Sequence, residues 1–132
     1  MNHLKGYWAA VLDVRCTWSI RLKAGRLPIP VLMLSSTHES LVRGFADTWG
    51  LTAYRTGRFW YAQATGERLT AILGSLSTFL IYRRHQSEAW LTLMQHITDH
   101  RGHRHKPLPD DVVAERLRLA EIATESDPFK VR

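Results

Sequence analysis

The segment TWSIRLK, residues 17–23, alternates without a break: Thr17, Ser19, Arg21 and Lys23 interleave with Trp18, Ile20 and Leu22. A side-chain period of two marks a strand with one wet and one buried face. It follows residues 3–14, where Leu4, Tyr7 or Trp8, Val11 and Leu12 keep helical spacing behind Asn2 in capping position. The turn-forming AGRLP then leads to a second apolar run, IPVLMLSS, so a hairpin follows the first helix. Pro28 and Pro30 confine the start of that strand to an edge or a turn.

The same order returns. Thr37 caps a helix in HESLVRGFADTWG, which turns Leu41, Phe45 and Trp49 to one side and stops at Gly50. A second hairpin pairs LTAYRT with FWYAQAT around Gly57 and Arg58. Two amphipathic helices come next, over residues 66–79 (Leu69, Ile72, Leu73, Leu76, Phe79) and 84–100 (Trp90, Leu93, Met94, Ile97). Helix and antiparallel hairpin in alternation predict an α+β domain over residues 1–100. Residues 101–132 form a basic connection and a final helix capped by Asp110.

Eighteen Lys and Arg against twelve Asp and Glu give a net charge of +6, and most of the cations are arginine. The planar guanidinium fork suits phosphates and guanine edges, so a polyanion is the partner to weigh first. Cys16 is the one thiol, which excludes an intrachain disulfide. With no signal-like start and no apolar run near the roughly 20 residues of a membrane span, a cytoplasmic, DNA-associated location without membrane contact is expected.

The stretch YWAAVLDVRC, residues 7–16, resembles the motif helix of the LAGLIDADG homing endonucleases. LMLSSTHESLVRGFADTWG is similar to that family's second strand and helix. YAQATGERLTAILGSLSTFLIYRRHQSEAWLTL is similar to its fourth strand, third helix and the basic segment that opens the next. Residues 5–97 are covered. The resemblance implies the αββαββα fold with a saddle-shaped antiparallel sheet, to which this chain adds a C-terminal helix. One motif per chain implies a homodimer, paired through Trp8, Ala9, Ala10, Leu12 and Asp13. Small residues at Ala9 and Ala10 permit close helix contact, although ordinary core packing uses them equally.

In that family the saddle reads double-stranded DNA. Carried over residue by residue, the contacts are Ser19, Arg21 and Lys23 on the first strand, Arg55 on the third, Arg58 at the turn, and Tyr61 and Gln63 on the fourth. Arginine forks onto guanine and glutamine onto adenine. Val31 and Met33 take outward positions on the second strand where the family offers polar groups; they meet either thymine methyls or a protein partner. A solvated basic sheet face is the plain alternative.

Family nucleases hold divalent cations on an acidic residue at the eighth motif position, because such ions take oxygen ligands. Here that position is Arg15, and Cys16 replaces the closing glycine. Asp13, at the sixth position, points about 200° away from Arg15 on a helix. Arg83, with Arg84 beside it, matches the family's basic residue near the scissile phosphate. The degenerate pair Asp13 and Arg15 leads to the expectation of a catalytically inactive DNA-binding homodimer without cofactor, in which Arg15 contacts phosphate. A salt bridge from Arg15 to Asp13 or to another acid at the helix end is the alternative for that side chain. Two other functions stay open: an active Mg2+-dependent endonuclease whose metal is held by Asp13 or by another carboxylate, and a protein-interaction module. His96, His100, His103 and His105 have the outline of a zinc site, but interleaved arginines disfavour a cation there, and no metal is expected. His85 and Glu88 share a helix face, an arrangement common on exposed helices.

Overall fold

The computed structural model describes residues 2–21, 27–101 and 107–129. Helix α1 (Asn2–Val14) runs into β1 (Cys16–Arg21), which pairs with β2 (Ile29–Ser36); α2 (Glu39–Trp49) leads to β3 (Tyr54–Thr56) and β4 (Phe59–Ala64). Three further helices follow, α3 (Gly66–Leu76), α4 (Arg84–Asp99) and α5 (Asp110–Glu125), with a 3-10 turn at Ser77–Phe79. The sheet order is β1-β2-β4-β3 and every pairing is antiparallel. The expected α+β order is therefore present, with the C-terminal helix added.

All helices gather on one side of the sheet. Trp18, Leu32, Leu34, Ala62 and Ala64 form the covered face, meeting Leu12, Phe45, Leu69, Leu73, Trp90 and Leu93 in one core. Leu32 and Leu34 are fully buried, and each such side chain contributes about 1.5–3 kcal/mol by leaving water. Trp18 joins two elements: its indole N–H donates to the Leu12 carbonyl at 2.9 Å, and its ring meets Trp90 edge-on at 5.1 Å. That bond satisfies one of the carbonyls that the end of α1 leaves without an intrahelical donor. Helix α5 adds Leu119, Ala120 and Ala123 to the same core.

The end of α1 is fixed by its acid. Asp13 is 3% exposed, and its carboxylate accepts the backbone N–H groups of Ile81 (2.7 Å), Tyr82 (3.3 Å) and Arg83 (3.0 Å). Arg83 returns the contact, its Nε donating to the Asp13 carbonyl at 3.2 Å. A carboxylate just ahead of α4 also lies in the favourable field of that helix's N-terminus. This sequence-distant bridge sets the angle between α1 and α4.

Some local expectations change. Residues 51–53 are not strand, so β3 has three residues, Tyr54–Thr56. Thr37 does not cap α2: the capping position is His38, whose N–H is taken by the Ser36 hydroxyl at 3.0 Å. Asp110 is the first residue of α5, behind Pro109, which places its charge in the first turn instead of at the cap. Gly50 does stop α2, with φ 69° and its N–H on the Ala46 carbonyl.

Two stability measurements check these assignments. Asp13→Ala leaves three backbone N–H groups, one buried and two partly buried, without their acceptor, and urea unfolding should lose roughly 3 kcal/mol; a loss under about 1 kcal/mol would mean the turn closes without the carboxylate. Gly50→Ala puts a Cβ in the left-handed region and against the Arg68 guanidinium. Its expected cost is about 1–2 kcal/mol, read as a lower urea midpoint at unchanged slope.

Candidate nucleic-acid interface

Directly opposed residues of an antiparallel pair share a face, so the register fixes what the uncovered side of the sheet presents. One rung carries Thr17, Met33 and Gln63; another carries Ser35, Tyr61 and Tyr54. Ser19 opposes Val31, Arg21 opposes Ile29, and Thr56 opposes Phe59. Ser19, Arg21, Tyr61 and Gln63 thus stand on the open face as expected. Arg21 donates through Nη2 to Gln63 Oε1 at 3.1 Å, and Tyr54 stacks on Tyr61 at 5.4 Å. Arg58 is exposed at the hairpin turn, its guanidinium 5.5 Å from the Phe59 ring. Lys23 lies outside the described residues.

Arg55 is placed differently. It opposes Trp60 on the helix-covered side of the sheet, near the Trp60 ring (6.0 Å), which Arg43 of α2 also approaches at 4.7 Å. Gly57, with φ 61°, and Arg58 close a two-residue turn that pairs Thr56 with Phe59. Such a turn forces Tyr54, and not Arg55, to share a face with Tyr61. Val31 has the outward register but is 2% exposed, so it offers nothing to thymine methyls; Met33 is partly exposed. The exposed apolar side chains of this face, Ile29, Tyr54 and Phe59, were not anticipated.

At the far end of β1 lie the two residues of the degenerate motif. Asp13 spends both oxygens on the 81–83 backbone, so it neither bridges to Arg15 nor faces outward as a cation ligand. Arg15 is exposed, and among the described residues its guanidinium has no hydrogen-bond or ion-pair partner. Arg83 turns inward instead of toward a phosphate. It is 9% exposed and donates through Nη1 to Gln86 Oε1 (2.6 Å) and Asp127 Oδ1 (3.2 Å), with Phe129 4.7 Å from its guanidinium. Nothing in the local sequence announces Asp127 as its partner. Arg84 is exposed and donates to the carbonyls of Ser77 (3.4 Å) and Thr78, which aims it along the 3-10 turn.

The face of α1 left open also differs from the expected one. Trp8, Ala9, Leu12 and Asp13 are buried in the chain's own core, Trp8 against Phe45 at 5.6 Å, so they have no surface left for a second chain. Ala10 is exposed, flanked on the same side by Leu4, Tyr7 and Val14. Ile81 and Tyr82 stand exposed on the segment that Asp13 binds; Ile81, at 79%, is the most exposed large apolar residue described. A helix has two candidate small-residue faces here, and only packing decides which one the core takes.

Cys16 is 6% exposed, and burial pushes its thiol up to about 12, with the Arg83 charge pulling weakly the other way. It is an unreactive packing group on the covered side of the sheet. His96 and His100 stack at 4.5 Å, but Arg116 Nε donates to His96 Nδ1 at 3.3 Å, which occupies that ring nitrogen. Burial, then the charges of His100 and Arg116, hold His96 below its ordinary range. His103 and His105 lie outside the described residues. Among the described residues no three His, Cys, Asp or Glu side chains gather as a metal site, and no helix is long and apolar enough to cross a membrane.

No protein-family profile matches the sequence, and no curated protein matches it. Solved structures do match. The homing endonuclease I-CvuI, in complex with a DNA target, superposes with a TM-score of 0.77 at 17% identity, over 99% of this chain and 86% of that one. The archaeal intron-encoded homing endonuclease I-Vdi141I, complexed with DNA, gives 0.75 at 12% identity over 99% and 88%. The LAGLIDADG homing endonuclease I-GzeII, also with its DNA target, gives 0.72 at 10% identity, but the match spans 97% of this chain and 46% of I-GzeII. The open four-stranded sheet, the helix that ends at Asp13 and the helical layer behind them are the fold of the LAGLIDADG homing endonucleases.

Proposed function

We propose that this chain is a DNA-binding homodimer that grips duplex DNA with its open sheet face and does not cut it. The observation that carries the reading is the end of α1: an unpaired, exposed Arg15 stands where a metal-holding carboxylate is expected, and the neighbouring acid is locked into the backbone. A guanidinium repels a divalent cation and attracts phosphate, so it converts a hydrolytic position into a binding one. The structural likeness to proteins solved on DNA supports the polyanion partner, as do the net charge of +6 and the exposed Arg21, Arg58 and Arg84. For an active metal-dependent enzyme, Asp13 would have to be released, which would strip three backbone N–H groups of their acceptor.

Two chains per DNA site are supported by the coverage of the structural matches and by the surface. The chain matches most of I-CvuI and less than half of I-GzeII, so it supplies one unit of the fold. Its exposed Leu4, Tyr7, Ala10 and Val14, continued by Ile81 and Tyr82, form the kind of apolar surface that a second copy covers. A two-fold protein asks for a pseudo-palindromic site, and occlusion or regulation at such a site is the use proposed. One observation favours a second reading, a protein-interaction module: the apolar Ile29, Met33 and Phe59 interrupt the basic face.

Salt separates the two readings. Affinity for duplex DNA should fall steeply with ionic strength, whereas binding by an apolar patch changes little. In Arg15→Ala, two phosphate contacts are lost per dimer, so the slope of log K against log salt should flatten by about 1.8; an unchanged slope and affinity would remove Arg15 from the interface. Duplex cleavage by the unaltered chain with magnesium or manganese would overturn the non-cutting assignment. Val14→Glu should turn the dimer into a monomer in sedimentation velocity without changing the monomer's unfolding free energy by more than about 0.5 kcal/mol, since it alters only an exposed position.

A further inference from the structure

A second concavity lies at the opposite end of the sheet from Arg15. Cys16, next to Arg15, opposes Leu34, whereas Ile29 opposes Arg21 at the other end of β1, ~17 Å away along the strand. There the start of β2, the start of α3, the last turn of α4 and α5 enclose a cavity of about 590 Å³. That is the size of small-molecule sites. Pro30, Met94 and Ile97 give it an apolar wall, and Arg116 and Arg101 bring charge to it, with Glu67 at the rim.

Arg116 is the unusual member. It is 6% exposed, yet no carboxylate pairs with it among the described residues. Its bonds go to neutral acceptors, Nε to His96 Nδ1 at 3.3 Å and Nη2 to the His100 carbonyl at 2.8 Å, and Nη1 has no partner among the described residues. Buried arginines are otherwise paired with acids, because an uncompensated charge out of water is costly. Glu67 does not serve: its side chain is 91% exposed and lies 3.9 Å from Arg101. Neither residues 22–26 (LKAGR) nor residues 102–106 (GHRHK) contain an Asp or Glu.

We propose that this cavity binds a small amphipathic organic anion, its carboxylate on Arg116 and its aliphatic body against Pro30, Met94 and Ile97. The fixed guanidinium provides a fork for two oxygens, and the apolar wall excludes an anion that lacks a hydrocarbon part. The site is independent of the DNA reading: it uses none of the residues proposed to contact DNA, and its test contains no DNA.

The test is calorimetric titration of the full chain with octanoate, alongside 1-octanol and inorganic phosphate. Octanoate should bind at least tenfold more tightly than either control. Arg116→Gln should weaken octanoate by tenfold or more, with a smaller effect on octanol. Because Arg116 is buried and its loss can unfold the chain, Ile97→Trp, which fills the cavity from a partly buried position, provides the second arm. It should abolish octanoate binding while its circular dichroism and urea midpoint match the unaltered chain. Equal binding of octanoate and octanol, equal binding of phosphate alone, no binding of octanoate, or full binding by Ile97→Trp would each overturn the proposal.

Discussion

Three backbone N–H groups ending on one carboxylate hold this fold in register. Asp13 closes α1 and, 68 residues later, closes the turn before α4 as well. Because that turn places Arg83, the same interaction fixes where the arginine folds back and where Asp127 and Phe129 of the C-terminal segment settle on it. It also decides chemistry. A carboxylate with both oxygens engaged in a water-poor site has little left to offer a hydrated cation, so the residue that builds the helix end has no free oxygen turned outward for a cation.

The sheet obeys a similar economy of sides. Its covered face contributes small and aliphatic residues, with Trp18 bonded to the last turn of α1, and its open face is left with hydroxyls, amides, tyrosines and arginines. Neither face was free to vary alone. Moving β2 by one residue would send Leu32 and Leu34 to water and bring Val31 and Met33 into the core, so burial of one side dictates the composition available to a ligand on the other.

Much of this was legible from residue order. The alternation of TWSIRLK named both faces of β1, and Gly50 named the end of α2. Arg55 was misplaced although the sequence held the answer: a two-residue turn at Gly57 and Arg58 already pairs position 54 with 61. The face of α1 was harder, because Ala9 and Ala10 are equally small and only the presence of Phe45 opposite Trp8 decides that Ala9 goes inward. Least legible was Arg83. Its position in a basic run suggested solvent and phosphate, while its partners Asp13, Gln86 and Asp127 come from three separate parts of the chain. Long-range pairing leaves no periodic trace, so local pattern is silent about it.

The open side of α1 carries a further geometric consequence. Ala10 is small and Val14, one turn on, is branched and 64% exposed. A second helix laid on this side comes close at Ala10 and is held off at Val14, so the two axes must cross and diverge toward their C-termini instead of running side by side. The guanidinium groups of the two Arg15 side chains would then stand at the splayed tips of a wedge. In the proposed dimer, the girth of a valine would set their spacing and ease their mutual repulsion by shape before any anion arrived between them.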